Sequence, residues 1–297
     1  MRFIGNQKIA NFFDLAIKNG QLSQTCCFSG VGQVGKRTLA NFLAAKILGV
    51  ELPKLNSSAD YHYLTRLEDE KTGKKKKEIA VEQVRELKEK LYQRSWSNGF
   101  KVAIVDEAEL LNDESGNALL KVLEEPPQKC IIFLLTENDE KLLPTIQSRC
   151  QTFQFSTVSD DEIKTFLESL NVETEIIKKV IGLSWGRPGR AKELVENPEL
   201  LENCIAEKKR FERISAAPIY LRWKEMEDVL SEKGGQVKTK ETLDPILDLW
   251  IMICREKMAA ENSPVYAALI DSISKIKNML AANVNPKLAI EELLTKF

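Results

Sequence analysis

Histidine is almost absent, with His62 the only one in 297 residues. It stands between two tyrosines with no nucleophile or carboxylate motif beside it, so a structural role outweighs that of a catalytic base. No apolar run reaches the roughly 18 residues that a membrane-spanning helix needs. The opening MRFIGNQKIANFF also lacks the charged-then-apolar pattern of a secretory leader. A cytoplasmic protein is expected. Excess charge is lacking as well: 43 basic residues face 44 acidic ones, a formal net charge of −1. Any contact with nucleic acid must therefore come from a local patch. The six cysteines, at 26, 27, 130, 150, 204 and 254, include no C-x-x-C pair. That excludes the usual zinc spacings and points to reduced core thiols.

What is present describes a globular chain long enough for two or three domains. Its most informative stretch is TCCFSGVGQVGKRTLANFLAAKIL, from Thr25 to Leu48. Thr25 to Phe28 is short, β-prone and apolar. Glycines follow at Gly30, Gly32 and Gly35, and from Lys36 on Leu39, Phe42, Leu43 and Ile47 recur at helical spacing. Strand, glycine-rich turn and helix in that order form a phosphate cradle: backbone N–H groups close round an anion, the helix aims its positive end at it, and Lys36 reaches across. The full pattern ends in Lys and then Ser or Thr, whose hydroxyl ligates magnesium. Here that position is Arg37, and Thr38 faces about 100° away around the helix. The loop therefore points to ATP or ADP as cofactor and speaks against magnesium-assisted hydrolysis. The plainer alternative is a strand-to-helix turn with no ligand.

Elsewhere the chain alternates. Residues 6 to 19 suit an amphipathic helix closed by Gly20, and residues 60 to 64 a strand. Lys74 to Lys77 form a basic run at a turn, either a solvated tip or a contact for nucleic acid or an acidic partner. Val81 to Tyr92 reads as a helix. Val102 to Val105 is an unbroken apolar run, as in a strand buried on both faces of a parallel sheet. It ends in Asp106 and Glu107. In phosphate-loop proteins a carboxylate there holds the metal and a following glutamate orients the attacking water; the alternative is an acidic pair at a helix start. A helix with Leu110, Leu111, Leu119 and Val122 on its apolar face follows, stopped by Pro126 and Pro127. Cys130 to Leu135 is another buried strand with Thr136 at its tip, then a short helix from Leu142 to Arg149 and the strand QTFQF. From Ser159 onward the pattern is helical, with Pro198 a plausible hinge.

The segments FSGVGQVGKRTLA, KVAIVDEAELL, NALLKVLEEPP, LLTENDEKLLPTIQSRCQTFQF and NVNPKLAIEELL together resemble the clamp-loader subunits of the AAA+ ATPase family, in its bacterial delta-prime branch. The resemblance spans nearly the whole chain. It implies an α/β phosphate-loop domain with a parallel sheet over residues 1–157, a small helical lid over 158–198, and an all-helical collar over 199–297. It places Gly30, Gly32, Gly35, Lys36, Arg37 and Thr38 on the Walker A loop, Asp106 and Glu107 on Walker B, Thr136 on the first sensor, and Arg149 on an arginine finger offered to a neighbour. For Arg149 the alternative is a cation at a helix end. Implied partners are gamma/tau-like and delta-like subunits in a hetero-pentamer, with a sliding clamp and primed DNA reached through the complex. Two departures stand out beside Arg37: Gly189 occupies the second-sensor arginine position, flanked by Arg187 and Arg190, and residues 49–60 lack the cysteines of a zinc module. A subunit that assists a neighbour's hydrolysis is expected. A gamma-type ATPase acting through Lys36, Asp106 and Glu107 is the alternative, and another AAA+ remodelling protein a more distant one.

Overall fold

The computed structural model describes residues 3–69, 73, 75–96, 99–230, 240–261, 263–282 and 284–297; Lys74 of the basic run lies outside them. Phe13 and Ala16 bury one face of α1 (Gln7–Asn19), which Gly20 closes at φ +66°. Then come β1 (Thr25–Ser29), α2 (Lys36–Leu48), β2 (Tyr61–Leu64), α3 (Val81–Tyr92), β3 (Lys101–Val105), α4 (Asp113–Glu124), β4 (Cys130–Thr136), the single turn α5 (Pro144–Gln147) and β5 (Gln151–Gln154). The strands form one parallel sheet in the order β2-β3-β4-β1-β5.

The unbroken apolar runs explain themselves in this sheet, because alternate side chains serve two cores. Cys26, Phe28, Ile104, Ile131, Phe133 and Leu135 pack with Phe13 and α2 on one face. Cys27, Ala103, Val105, Ile132 and Leu134 pack with α3 and α4 on the other. Each fully buried Phe or Leu among them contributes roughly 1.5–3 kcal/mol. Register brings the strand tips level: Ser29 pairs with Thr136, and Leu64 with Val105. The loops that leave these tips therefore converge on one crevice, the usual ligand site of open α/β sheets.

Two helices differ from the sequence expectation. Leu110 lies in a 3₁₀ turn, and α4 starts only at Asp113, because Asn112 Oδ1 accepts a hydrogen bond from Ser115 N at 2.9 Å and opens a new helix. Pro144, at the first position, sets the start of α5, which covers four residues of the longer helix expected from Leu142 to Arg149.

The remaining elements are helical: α6 (Asp160–Ser169), α7 (Thr174–Ser184), α8 (Pro188–Glu196), α9 (Pro198–Ala216), α10 (Ile219–Leu230), α11 (Lys240–Glu261), α12 (Pro264–Ala281) and α13 (Pro286–Leu294). Pro198 opens α9, with Asn197 as its cap. Packing divides the chain into two compact units, Met1–Ile177 with Gly186–Lys192, and Lys178–Trp185 with Glu193–Phe297. In the second unit Phe211, Trp250 and Phe297 meet edge to face, with ring centroids 5.3–5.7 Å apart. Among the described residues no helix is long and apolar enough to cross a membrane.

Candidate functional site

A cavity of about 610 Å³ opens at the carboxyl ends of the strands in the first unit. Its walls include Gly32, Gly35, Lys36, Arg37, Thr38, Asp106, Glu107 and Thr136, so eight of the expected positions meet in one place. Gly30 stands just behind, at the tip of β1. Its φ of +147° and the 2.3 Å between a would-be Cβ and the Phe155 carbonyl oxygen admit only glycine. Lys36 is 8% exposed, and its ammonium donates to the carbonyls of Gly30 and Val31, so the lysine lies folded over its own loop. Burial pushes its pKa down, and the carboxylates of Glu137, Glu109 and Asp106 oppose that shift.

The carboxylates at the tip of β3 are both engaged. Tyr63 in β2 donates its hydroxyl to Asp106 Oδ2 at 2.6 Å, while Oδ1 accepts from the Glu107 amide at 3.0 Å. Burial and that hydrogen bond hold the Tyr63 phenol above its usual pKa. Arg37 lies over the same tyrosine, its guanidinium carbon 4.5 Å from the ring centroid. Glu107, at φ +57°, receives two hydrogen bonds from Arg66: Nη2 to Oε1 at 2.6 Å and Nε to Oε2 at 3.0 Å. Thr65 Oγ1 adds a third, to Oε2 at 2.9 Å. Arg66 above all pulls the Glu107 pKa down to about 2, against desolvation.

That clamp has a pH signature. The folded pKa lies below the ordinary 4.5, so the pair stabilises the fold above pH 4.5 and loses its effect as pH falls toward about 2. Arg66→Ala is therefore expected to be less stable than the parent at neutral pH, with the gap narrowing as pH falls from 4.5 toward about 2. Urea unfolding of both proteins across that range is the check, and a gap independent of pH would contradict it.

Thr136 is buried, with its hydroxyl donating to the Asn138 carbonyl at 3.0 Å and accepting from the Asn138 amide at 3.1 Å. Asp139 fastens neighbouring tips, accepting from Ser29 Oγ at 2.7 Å and Gln154 Nε2 at 3.1 Å. At Gly189, where the resemblance leads one to expect a second-sensor arginine, the amide donates to the Gln33 carbonyl at 2.9 Å, and a Cβ would sit 2.9 Å from that oxygen. A side chain there would have to push the phosphate loop aside.

Arg149 is not part of the cavity wall. Its carbonyl accepts from Thr25 Oγ1 at 2.6 Å, which places it at the opening end of β1. The cradle lies at the other end, about 13 Å along the strand at 3.3 Å per residue. The exposed guanidinium pairs with Glu124 at 2.7 Å and donates to the Thr145 carbonyl at 3.0 Å.

The positive φ of Gly30 and Gly35, +147° and +100°, keeps the backbone of the loop bare as a phosphate cradle requires, while Gly32 faces the Glu137 carboxylate, 2.5 Å from a would-be Cβ. Magnesium does not fit. Its hydroxyl ligand is replaced by Arg37, Asp106 is held by Tyr63, and Glu107 is held by Arg66. Among the described residues no cluster of three or more His, Cys, Asp or Glu is arranged to hold a metal.

Sequence reasoning missed Tyr63, Arg66, Glu109 and Glu137. Glu137 was within reach, because it follows Thr136 at a strand tip. Arg66 sits just past the tip of β2, where the parallel order brings it beside Glu107.

A profile of the family described as "DNA polymerase III, delta subunit" matches residues 5–159. DNA polymerase III subunit delta' of Haemophilus influenzae is 33% identical over 194 residues, 61% of this chain and 56% of that protein. Its counterpart in Escherichia coli is 35% identical over 144 residues, 48% of this chain and 41% of that one. DNA polymerase III subunit gamma of Buchnera aphidicola is 29% identical over 211 residues, 66% and 57% of the two chains. The chain thus spans about half the length of the curated relatives it matches. Among solved structures, a DNA polymerase III gamma subunit-related protein from Thermotoga maritima superposes with a TM-score of 0.55 at 19% identity, over 95% of this chain and 97% of that one. The fold is the expected one, an α/β domain with a parallel sheet followed by helices.

Proposed function

The chain belongs to the DNA polymerase III, delta subunit family, and from that premise we propose that it is a delta-prime-like clamp-loader subunit that lends Arg149 to a neighbour and does not hydrolyse ATP itself. The observation that carries this reading is the state of Glu107. A glutamate that deprotonates an attacking water works best with an uncommitted oxygen and a pKa near the working pH. Both oxygens of Glu107 are held by Arg66, and its pKa lies at about 2. The exposure of Arg149, and its place at the end of β1 remote from its own cradle, support a role in trans.

In this reading residues 158–198 form the lid and 199–297 the collar that joins gamma/tau-like and delta-like subunits in a hetero-pentamer. The assembly works in the cytoplasm and loads a sliding clamp onto primed DNA. The rival, a gamma-type ATPase, draws support from the gamma relative, which aligns over 66% of this chain. ATP turnover by the purified chain separates the two. With magnesium present, phosphate release is expected to equal that of Lys36→Ala. Turnover that Lys36→Ala abolishes would establish the rival.

A further inference from the structure

We propose that the chain's own cavity binds a nucleoside polyphosphate without magnesium, with the Arg37 guanidinium in the place of the metal. The inference rests on the non-hydrolytic part of the reading above and concerns what the cavity holds when it does no chemistry.

A triphosphate brought into the crevice needs positive charge on two sides. In a metal-dependent loop the lysine supplies one, and the cation held by the hydroxyl and the strand-tip carboxylate supplies the other. Here Lys36 is present, and the next residue, whose hydroxyl would have held the metal, carries a fixed positive charge of its own. Arg37 lies in the first turn of α2 and lines the same cavity as Lys36 and Thr38. Arg37 holds its guanidinium carbon 4.5 Å from the Tyr63 ring centroid, a cation–π contact that uses none of its N–H donors as hydrogen bonds to an acceptor atom. Among the described residues no carboxylate or carbonyl accepts from them. A planar fork of donors matches phosphate oxygens in pairs, which an ammonium does not.

The same contacts discourage the metal. Tyr63 reaches from beneath Arg37 to Asp106, so the phenol hydrogen already occupies one oxygen of the carboxylate that magnesium would need. A divalent ion between Arg37 and Asp106 would meet a fixed positive charge. Lys36 is at present satisfied by the Gly30 and Val31 carbonyls, so an incoming phosphate has to draw it out of the loop. Binding is therefore expected to be moderate in strength and indifferent to the metal.

Titration calorimetry of the full chain with ADP and with ATP, each in EDTA and in excess magnesium, tests the inference. The expected result is binding with dissociation constants that agree within about twofold between the two conditions. Arg37→Gln, at an exposed position, is expected to weaken binding in EDTA about tenfold or more, as loss of a charge-assisted pair does. Arg37→Thr, which restores the hydroxyl, should show the same loss in EDTA and regain affinity only with magnesium. Absence of binding, a tenfold gain with magnesium in the parent chain, or unchanged affinity in Arg37→Gln would each overturn the inference. None of these outcomes touches the proposed function, which falls instead if the chain turns ATP over.

Discussion

Arg149→Ala, placed in a reconstituted clamp-loader assembly, is expected to slow hydrolysis at the neighbouring nucleotide site on the order of 10³-fold, the lower range for an arginine finger. The chain itself should fold and assemble as before, because Arg149 is exposed and its Glu124 partner is about half exposed. An ion pair so open to water stabilises by roughly 0–1 kcal/mol, so the guanidinium can leave Glu124 for a phosphate at little cost. The residue cannot serve its own cradle, since Thr25 and Ser29 stand at opposite ends of β1 and the Arg149 carbonyl is fastened to Thr25. Single-turnover hydrolysis by the assembly, with a binding assay to show that the complex is intact, is the measurement. An unchanged rate in an intact assembly would remove Arg149 from the mechanism.

Phe28→Ala is expected to destabilise the first unit by about 3–5 kcal/mol, the range for emptying a large aromatic site in a core. Phe28 is fully buried, and its ring lies 5.0–6.0 Å from those of Phe13, Phe133, Phe153 and Phe155. Four rings that interlock at these distances have little freedom to collapse into the space left behind. The loss would also reach the site, because Phe155 is the residue whose carbonyl oxygen confines Gly30. Urea unfolding followed by far-ultraviolet circular dichroism reads the effect, and a change below 1 kcal/mol would mean that this cluster does not anchor the unit.

Much of the sheet could be read from residues alone, for a physical reason. A strand covered on both faces favours an unbroken apolar run, and residues 102–105 and 130–135 are two such runs. The strand, glycine-rich turn and helix over residues 25–48 were equally plain, because glycine spacing and the following helix are local in sequence. What stayed hidden depends on pairs distant along the chain. Arg66 reaches Glu107 across 41 residues and Tyr63 reaches Asp106 across 43, and only the parallel register of β2 on β3 places them side by side. Gly189 could be read as a missing arginine, but not as a residue against which Gln33 rests. The start of α4 was misjudged because Leu110 and Leu111 continue the helical spacing, whereas Asn112 interrupts it with its own hydrogen bond.

The pairing of β1 bears on how this chain comes into being. Its neighbours in the sheet are β4 and β5, so Thr25–Ser29 finds no strand beside it until about a hundred more residues have left the ribosome. At ~5–20 residues per second that interval is on the order of 5–20 s. For those seconds the nascent segment TCCFS and the glycine-rich loop behind it have no partner strand, and the sheet is complete only when the polypeptide has been synthesised past Gln154.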